Sequence, residues 1–187
     1  LDCVIMQMVR LVRDGETIKL SKRSGKAITL NTLIDEVPLD AARFFFNLRE
    51  PNSHFDFDLE LAAKQSSENP VYYVQYAHAR ICSIIKKAQE QGVQLRTPND
   101  DELALLNSKE EKDLIRHLSA LTAYDPAKIT HYVIELATLF HKFYNAQRVM
   151  LDDNEPLMQA RLYLCSAVKN TIYNILTMLK ITTPEVM

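Results

Sequence analysis

NPVYYVQYAHARICSIIKKAQEQG, residues 69–92, is the stretch whose reading decides the fold. Asparagine followed by proline is a helix start: the Asn69 side chain can accept from a free amide of the first turn, and Pro70 has no N–H to leave unpaired. Behind it Val74, Ala77, Ile81, Ile84, Ile85 and Ala88 recur at steps of three and four, which gathers them on one helical face. Gly92 marks the stop.

The same grammar continues downstream. A loop containing Pro98 leads to Ser108, and Glu111 follows three residues later in a capping-box pattern. Leu114, Ile115, Leu118 and Leu121 supply that helix's stripe. Asp125-Pro126 opens the next helix, with Ile129, Tyr132, Val133, Leu136, Phe140 and Phe143 on one face. Asn154 to Pro156 opens the last, in which Ala160, Leu164, Val168, Ile172, Ile175 and Leu179 point inward until Thr182-Thr183-Pro184. Four long helices joined by short connections predict a mainly α fold, an antiparallel helical bundle over 69–187.

Upstream the texture changes. Val4 to Val12 and Thr17 to Leu20 read as two short β-runs about an Asp14-Gly15 turn, a β-hairpin. Asn31 or Thr32 is placed to cap a short helix over Leu33 to Val37, and Asp40 to Asn47 reads as another. Glu50 to Asp58 reads as a connector, broken at Pro51 and Asn52 and pinned by Phe55 and Phe57, with a short helix near Leu59 to Gln65 after it. Three segments result: 1–30, 31–68 and 69–187.

Composition narrows the field. The chain has 187 residues, enough for one compact core, and only three glycines, which disfavours sheet-rich folds. No apolar run nears the ~20 residues of a membrane span. Cys3, Cys82 and Cys165 are far apart with no CxxC pair, so they suit a reducing compartment better than disulfides or a metal site. Net charge is −2, but the charge is segregated. Six basic residues lie between Arg10 and Lys26 against Asp14 and Glu16, which leaves room for an anionic partner. The opening Leu1-Asp2-Cys3 lacks an initiator methionine and sits inside an apolar stretch, as in a piece of a longer protein.

One loop points to chemistry. Lys19-Leu20-Ser21-Lys22-Arg23-Ser24-Gly25-Lys26 packs four cations around two hydroxyls directly after a strand. Ammonium groups on such a loop can close on a transient polyphosphate charge. From charge alone a solvated basic hairpin is the favoured reading. Two aromatic clusters follow. Tyr72, Tyr76 and Arg80 are four apart and share a face, with Tyr73 beside them. Tyr144 continues the Leu136 and Phe140 spacing, and Arg148 falls one turn further on the same side. Tyrosines beside arginines can stack on unpaired bases, and they can equally close the rim of a bundle with their hydroxyls in water. His78 reads as a packing histidine.

Lys19 to Lys26 resembles the KMSKS signature of class I aminoacyl-tRNA synthetases, with Leu20 in place of the methionine and Arg23 in place of the final serine. The continuation through Leu30, Asp40 to Phe45, Asn69 to Arg80, the Tyr144 segment and Thr183 to Met187 resemble the arginyl-tRNA synthetases and their DALR anticodon-binding domain. Cysteinyl and methionyl enzymes share the loop and a helical bundle, but not the Asn69 to Arg80 run or this ending. The resemblance implies that Lys22, supported by Lys19 and Ser21, serves the ATP phosphates. It implies that Tyr144, Arg148 and Met187 line an anticodon pocket, with Tyr73 and Tyr76 nearby, and that Arg80 contacts the tRNA backbone.

It further implies ATP and Mg2+ as requirements of a longer enzyme, with neither bound by this stretch, and no protein-bound metal. Arginine tRNAs are the implied partner of a cytoplasmic monomer that has no membrane contact. The family's His-x-Gly-His motif is absent here, so these residues alone are expected not to join arginine to tRNA. A helical protein-interaction module is the competing reading, and the cluster of Lys19, Lys22, Arg23 and Lys26 argues against it.

Overall fold

A computed structural model describes residues 6–18, 29–120 and 125–187. Its elements are β1 (Val9–Arg13), β2 (Glu16–Thr17), α1 (Leu30–Glu36), α2 (Leu39–Asn47), β3 (Phe55–Asp58), α3 (Leu59–Ala63), α4 (Pro70–Glu90), α5 (Asp100–Leu103), α6 (Lys109–Leu118), α7 (Pro126–Ala146) and α8 (Glu155–Met178). The fold is mainly α with one small sheet, as the periodicity predicts.

The caps explain the long helices. Asn69 Oδ1 accepts from the Val71 amide at 3.2 Å, while its Nδ2 donates to the Ala62 and Lys64 carbonyls at 3.1 and 2.9 Å. One buried side chain therefore starts α4 and fastens it to the end of α3. Ser108 and Glu111 form the reciprocal capping box that the sequence predicts, and Asp125 caps α7 above Pro126. At the far end of α4, Gly92 takes φ +79, and the amides of Gly92 and Val93 reach back to Gln89 and Ala88. α8 ends in the same motif, but with Lys180 at φ +58 in the glycine position and Ile181 donating to the Leu176 carbonyl at 2.8 Å. A non-glycine residue strains there, so Lys180→Gly is expected to stabilise the fold by about 1 kcal/mol, read as a rise in urea midpoint at unchanged slope. An unchanged or lower midpoint would show that the Lys180 backbone carries no such strain.

The sheet differs from the expected hairpin. β1 and β2 pair antiparallel about Asp14-Gly15, both at positive φ, but the described strand starts at Val9 and Met6 and Met8 are exposed. The reading of Glu50 to Asp58 as a plain connector is corrected: Phe55 to Asp58 forms a third strand, parallel to β1, in the order β2-β1-β3. Its alternation buries Phe55 and Phe57 while Asp56 faces out to Arg10, whose Nε donates at 2.6 Å. Phe57 is fully buried, with the rings of Phe45, Phe46 and Phe55 at 5.6, 5.2 and 5.8 Å.

Three smaller corrections concern helices. α1 starts one turn early because Thr29, not Asn31 or Thr32, is the cap, accepting from the Thr32 amide at 3.2 Å. The loop after Gly92 holds α5, with an Asn99–Glu102 capping box of its own. α7 stops at Ala146. Around these elements α4, α7 and α8 pack together, α6 lies on α7, and α5 lies on α8. A single apolar core runs from Leu11 through Phe57, Val74, Leu136, Phe140 and Leu162 to Ile181. No described helix is long and apolar enough to cross a membrane.

Candidate nucleic-acid interface

The two aromatic clusters meet where α4 lies against α7. Arg80 sits over the Tyr76 ring at 4.6 Å and over the Tyr144 ring at 4.9 Å. Its Nη2 donates to the Tyr76 hydroxyl at 2.6 Å and its Nη1 to His141 Nδ1 at 3.4 Å. His141 is buried, with the rings of Tyr73 and Tyr76 centred 4.7 and 5.8 Å away. Burial, with the Arg80 charge second, pushes the imidazole below its ordinary pKa, so it is neutral near pH 7. Nδ1 accepts from Arg80, which assigns the proton to Nε2, a buried atom without a hydrogen-bond partner.

Tyr144 keeps 38% of its surface exposed on this platform. A cleft of about 330 Å³ lies in front of it, lined by Tyr76, Arg80, Lys87, Tyr144 and Met187 among others. Met187 is brought there by a strap, residues 179–187, clasped to the bundle. Gln75 Nε2 donates to Asp40 Oδ2 and to the Thr182 carbonyl, both at 3.0 Å. The Thr182 amide and hydroxyl also donate to Asp40. His78, the packing histidine of the sequence, is buried and donates from Nδ1 to the Pro184 carbonyl at 3.0 Å.

Arg148 does not lie where helical spacing puts it. Gln147 is extended, at φ −123 and ψ 130, so Arg148 falls beyond α7 and not one turn further along its face. It nevertheless lines a second cleft of about 710 Å³ with Ile84, Lys87, Tyr144, Asp152 and Asp153. Tyr144 and Lys87 line both clefts, so Tyr76, Arg80, Tyr144, Arg148 and Met187 share one face, while Tyr73 lies behind them against His141. Lys19, Ser21 and Lys22 lie outside the described residues. Among those described, no cluster of His, Cys, Asp and Glu could hold a metal ion.

Sequence reasoning passed over the group that holds the second cleft's wall. Arg161 of α8 donates from Nε to Glu111 Oε1 at 2.7 Å, from Nη1 to the Arg148 carbonyl at 2.6 Å and from Nη2 to Gln147 Oε1 at 2.9 Å. Both charged side chains are nearly sealed from water, at 9% and 1% exposure. Burial alone would raise the Glu111 carboxyl, but the Ser108 amide and Arg161 outweigh it and hold the pKa below its usual value. The available signal was an arginine inside an α8 stretch where Met158 to Leu162 are all buried.

Comparison with known proteins gives the family. Residues 74–187 match the family described as the DALR anticodon binding domain. The arginine–tRNA ligase of Caldanaerobacter subterraneus is 51% identical over 99% of this chain and 34% of its own length. That of Staphylococcus epidermidis is 48% identical over 100% and 35%. The chain thus spans about a third of the length of the curated relatives it matches. A crystal structure of an arginyl-tRNA synthetase from Campylobacter jejuni superposes with a TM-score of 0.77 at 31% identity, covering 97% of this chain and 40% of that one. The Thermus thermophilus arginyl-tRNA synthetase gives 0.66 at 25%, covering 95% and 34%. The strap, α7, α8 and α4 from Val74 onward fall within the matched residues: the chain belongs to the DALR anticodon-binding domain family and resembles arginyl-tRNA synthetases along its whole length.

Proposed function

We propose that this chain binds arginine tRNAs through their anticodon and serves the ATP-dependent attachment of arginine in a longer cytoplasmic enzyme. The supporting observation is Tyr144: half-exposed, backed by Arg80, and standing where the clefts lined by Met187 and Arg148 meet. An unstacked base laid on such a ring gains roughly 1–3 kcal/mol, while Lys87 and Arg148 offer charge to the flanking phosphates. Tyr76 lines the cleft beside Arg80, and Tyr73 supports the platform from behind. Arginine, ATP and Mg2+ engage with the remainder of the enzyme, and this chain's Lys19, Ser21 and Lys22 serve the ATP phosphates there. The partner is tRNA and the chain acts as a monomer.

Every arginine codon has G in its second position, so the middle anticodon base is always C. The test is binding of the chain to an arginine tRNA transcript and to the same transcript with that base changed. Tenfold or greater loss on the change is expected. Equal binding would leave a backbone-only contact, and binding to neither would favour a protein-interaction role.

A further inference from the structure

We propose that Arg80 is a positioning residue, which, tied to His141, fixes the pose of the Tyr144 ring without neutralising a phosphate. The proposal rests on the anticodon-binding reading and goes beyond it. An arginine that grips phosphate does so through the N–H edges of its fork. In Arg80 each Nη is engaged by the protein, Nη2 with the Tyr76 hydroxyl and Nη1 with His141 Nδ1, and the guanidinium lies over two rings. Tyr144 is on the last turn of α7, where its own helix supplies only Phe140, at 6.1 Å, as an aromatic neighbour. From α4 the Arg80 guanidinium lies directly over its ring, at 4.9 Å.

His141 has the matching role one step back. Its ring is gripped by Tyr73 and Tyr76 of α4 and by Phe140 of α7, and the charge facing it is that of Arg80. An apolar residue would fill this space without leaving Nε2 buried and unpaired, so packing does not account for a histidine. What the imidazole adds is an acceptor for Arg80.

The two roles of Arg80 separate in the salt dependence of binding, measured on the arginine tRNA transcript and its middle-base variant. Arg80→Gln is expected to weaken binding to the unaltered transcript about tenfold and to narrow the preference between the two. The slope of log affinity against log salt should stay at the wild-type value. A direct phosphate contact would instead flatten that slope by about 0.7–0.9 and keep the preference, which overturns the proposal. His141→Leu removes the acceptor together with the buried Nε2 and leaves only the part-buried Arg80 Nη1 to find water, so its melting temperature should change little. It should lose the preference as Arg80→Gln does, whereas His141→Asn, with an amide oxygen near the Nδ1 position, should keep it. A His141→Leu protein that discriminates like wild type would overturn the assignment of His141. Wild-type failure to bind either transcript would bring down the anticodon reading and this proposal together, whereas a flattened Arg80→Gln slope sinks the proposal alone.

Discussion

Replacing Glu111 by alanine is expected to cost about 3–5 kcal/mol of folding stability, because it strands the Arg161 guanidinium in the interior without its counter-charge. The Ser108 amide loses its acceptor in the same step. In a chain of this size each kcal/mol lowers Tm by roughly 2–4 °C, so the change is plain in a thermal melt. Removing both charges together, Glu111→Leu with Arg161→Met, should recover much of the loss, since apolar groups of similar volume escape the desolvation cost. A single-variant loss below about 1 kcal/mol would mean that water reaches the pair.

Acid should act in the same direction. The Glu111 carboxyl is held below its ordinary value, and that of Glu102 is pulled down to about 2 by Arg96 first and the Asn99 amide second. Groups depressed on folding add stability that is complete above the unfolded carboxylate pKa of about 4.3. That share disappears as pH falls through the folded values, so Tm should decline steadily from about pH 4.5 downward and less steeply in Glu111→Leu/Arg161→Met.

Phe57→Ala carries the second large effect, about 3–5 kcal/mol, because it empties the centre of the Phe45, Phe46 and Phe55 cluster. Its further interest is cooperativity. The sequence suggests a division at residue 69, yet the core joins Phe57 to the bundle through α2 and α4. One transition monitored by both far-ultraviolet circular dichroism and tyrosine fluorescence is expected. If residues 31–68 melted ahead of the bundle, the probes would separate, and the two segments would be independent units.

What was legible in the sequence followed physical type. Local signals were read directly: Asn69-Pro70, the Ser108–Glu111 box and Asp125-Pro126 each satisfy their own free amides within one turn. β3 was obscured because its alternation is only Phe55-Asp56-Phe57-Asp58, flanked by breakers, and its pairing is parallel to a strand more than 40 residues away. Arg148 was misplaced because helical spacing was carried past Ala146, where an extended Gln147 ends it. The tyrosine platform was legible as residues but not as geometry. That Arg80 faces Tyr144, and that His141 lies between α4 and α7, depends on how two helices dock, which periodicity within either does not encode.

The clasp between Asp40 and Thr182 also imposes an order of assembly. It joins residues 142 positions apart, the widest span of any described hydrogen bond. Closing so long a loop costs more chain entropy than a local contact, and such contacts form late in folding. α4, α7 and α8 can dock on each other first, whereas Met187 reaches the cleft only once the clasp shuts. The cleft is therefore expected to be finished last, and a partly folded chain leaves it open with its Met187 wall still to come.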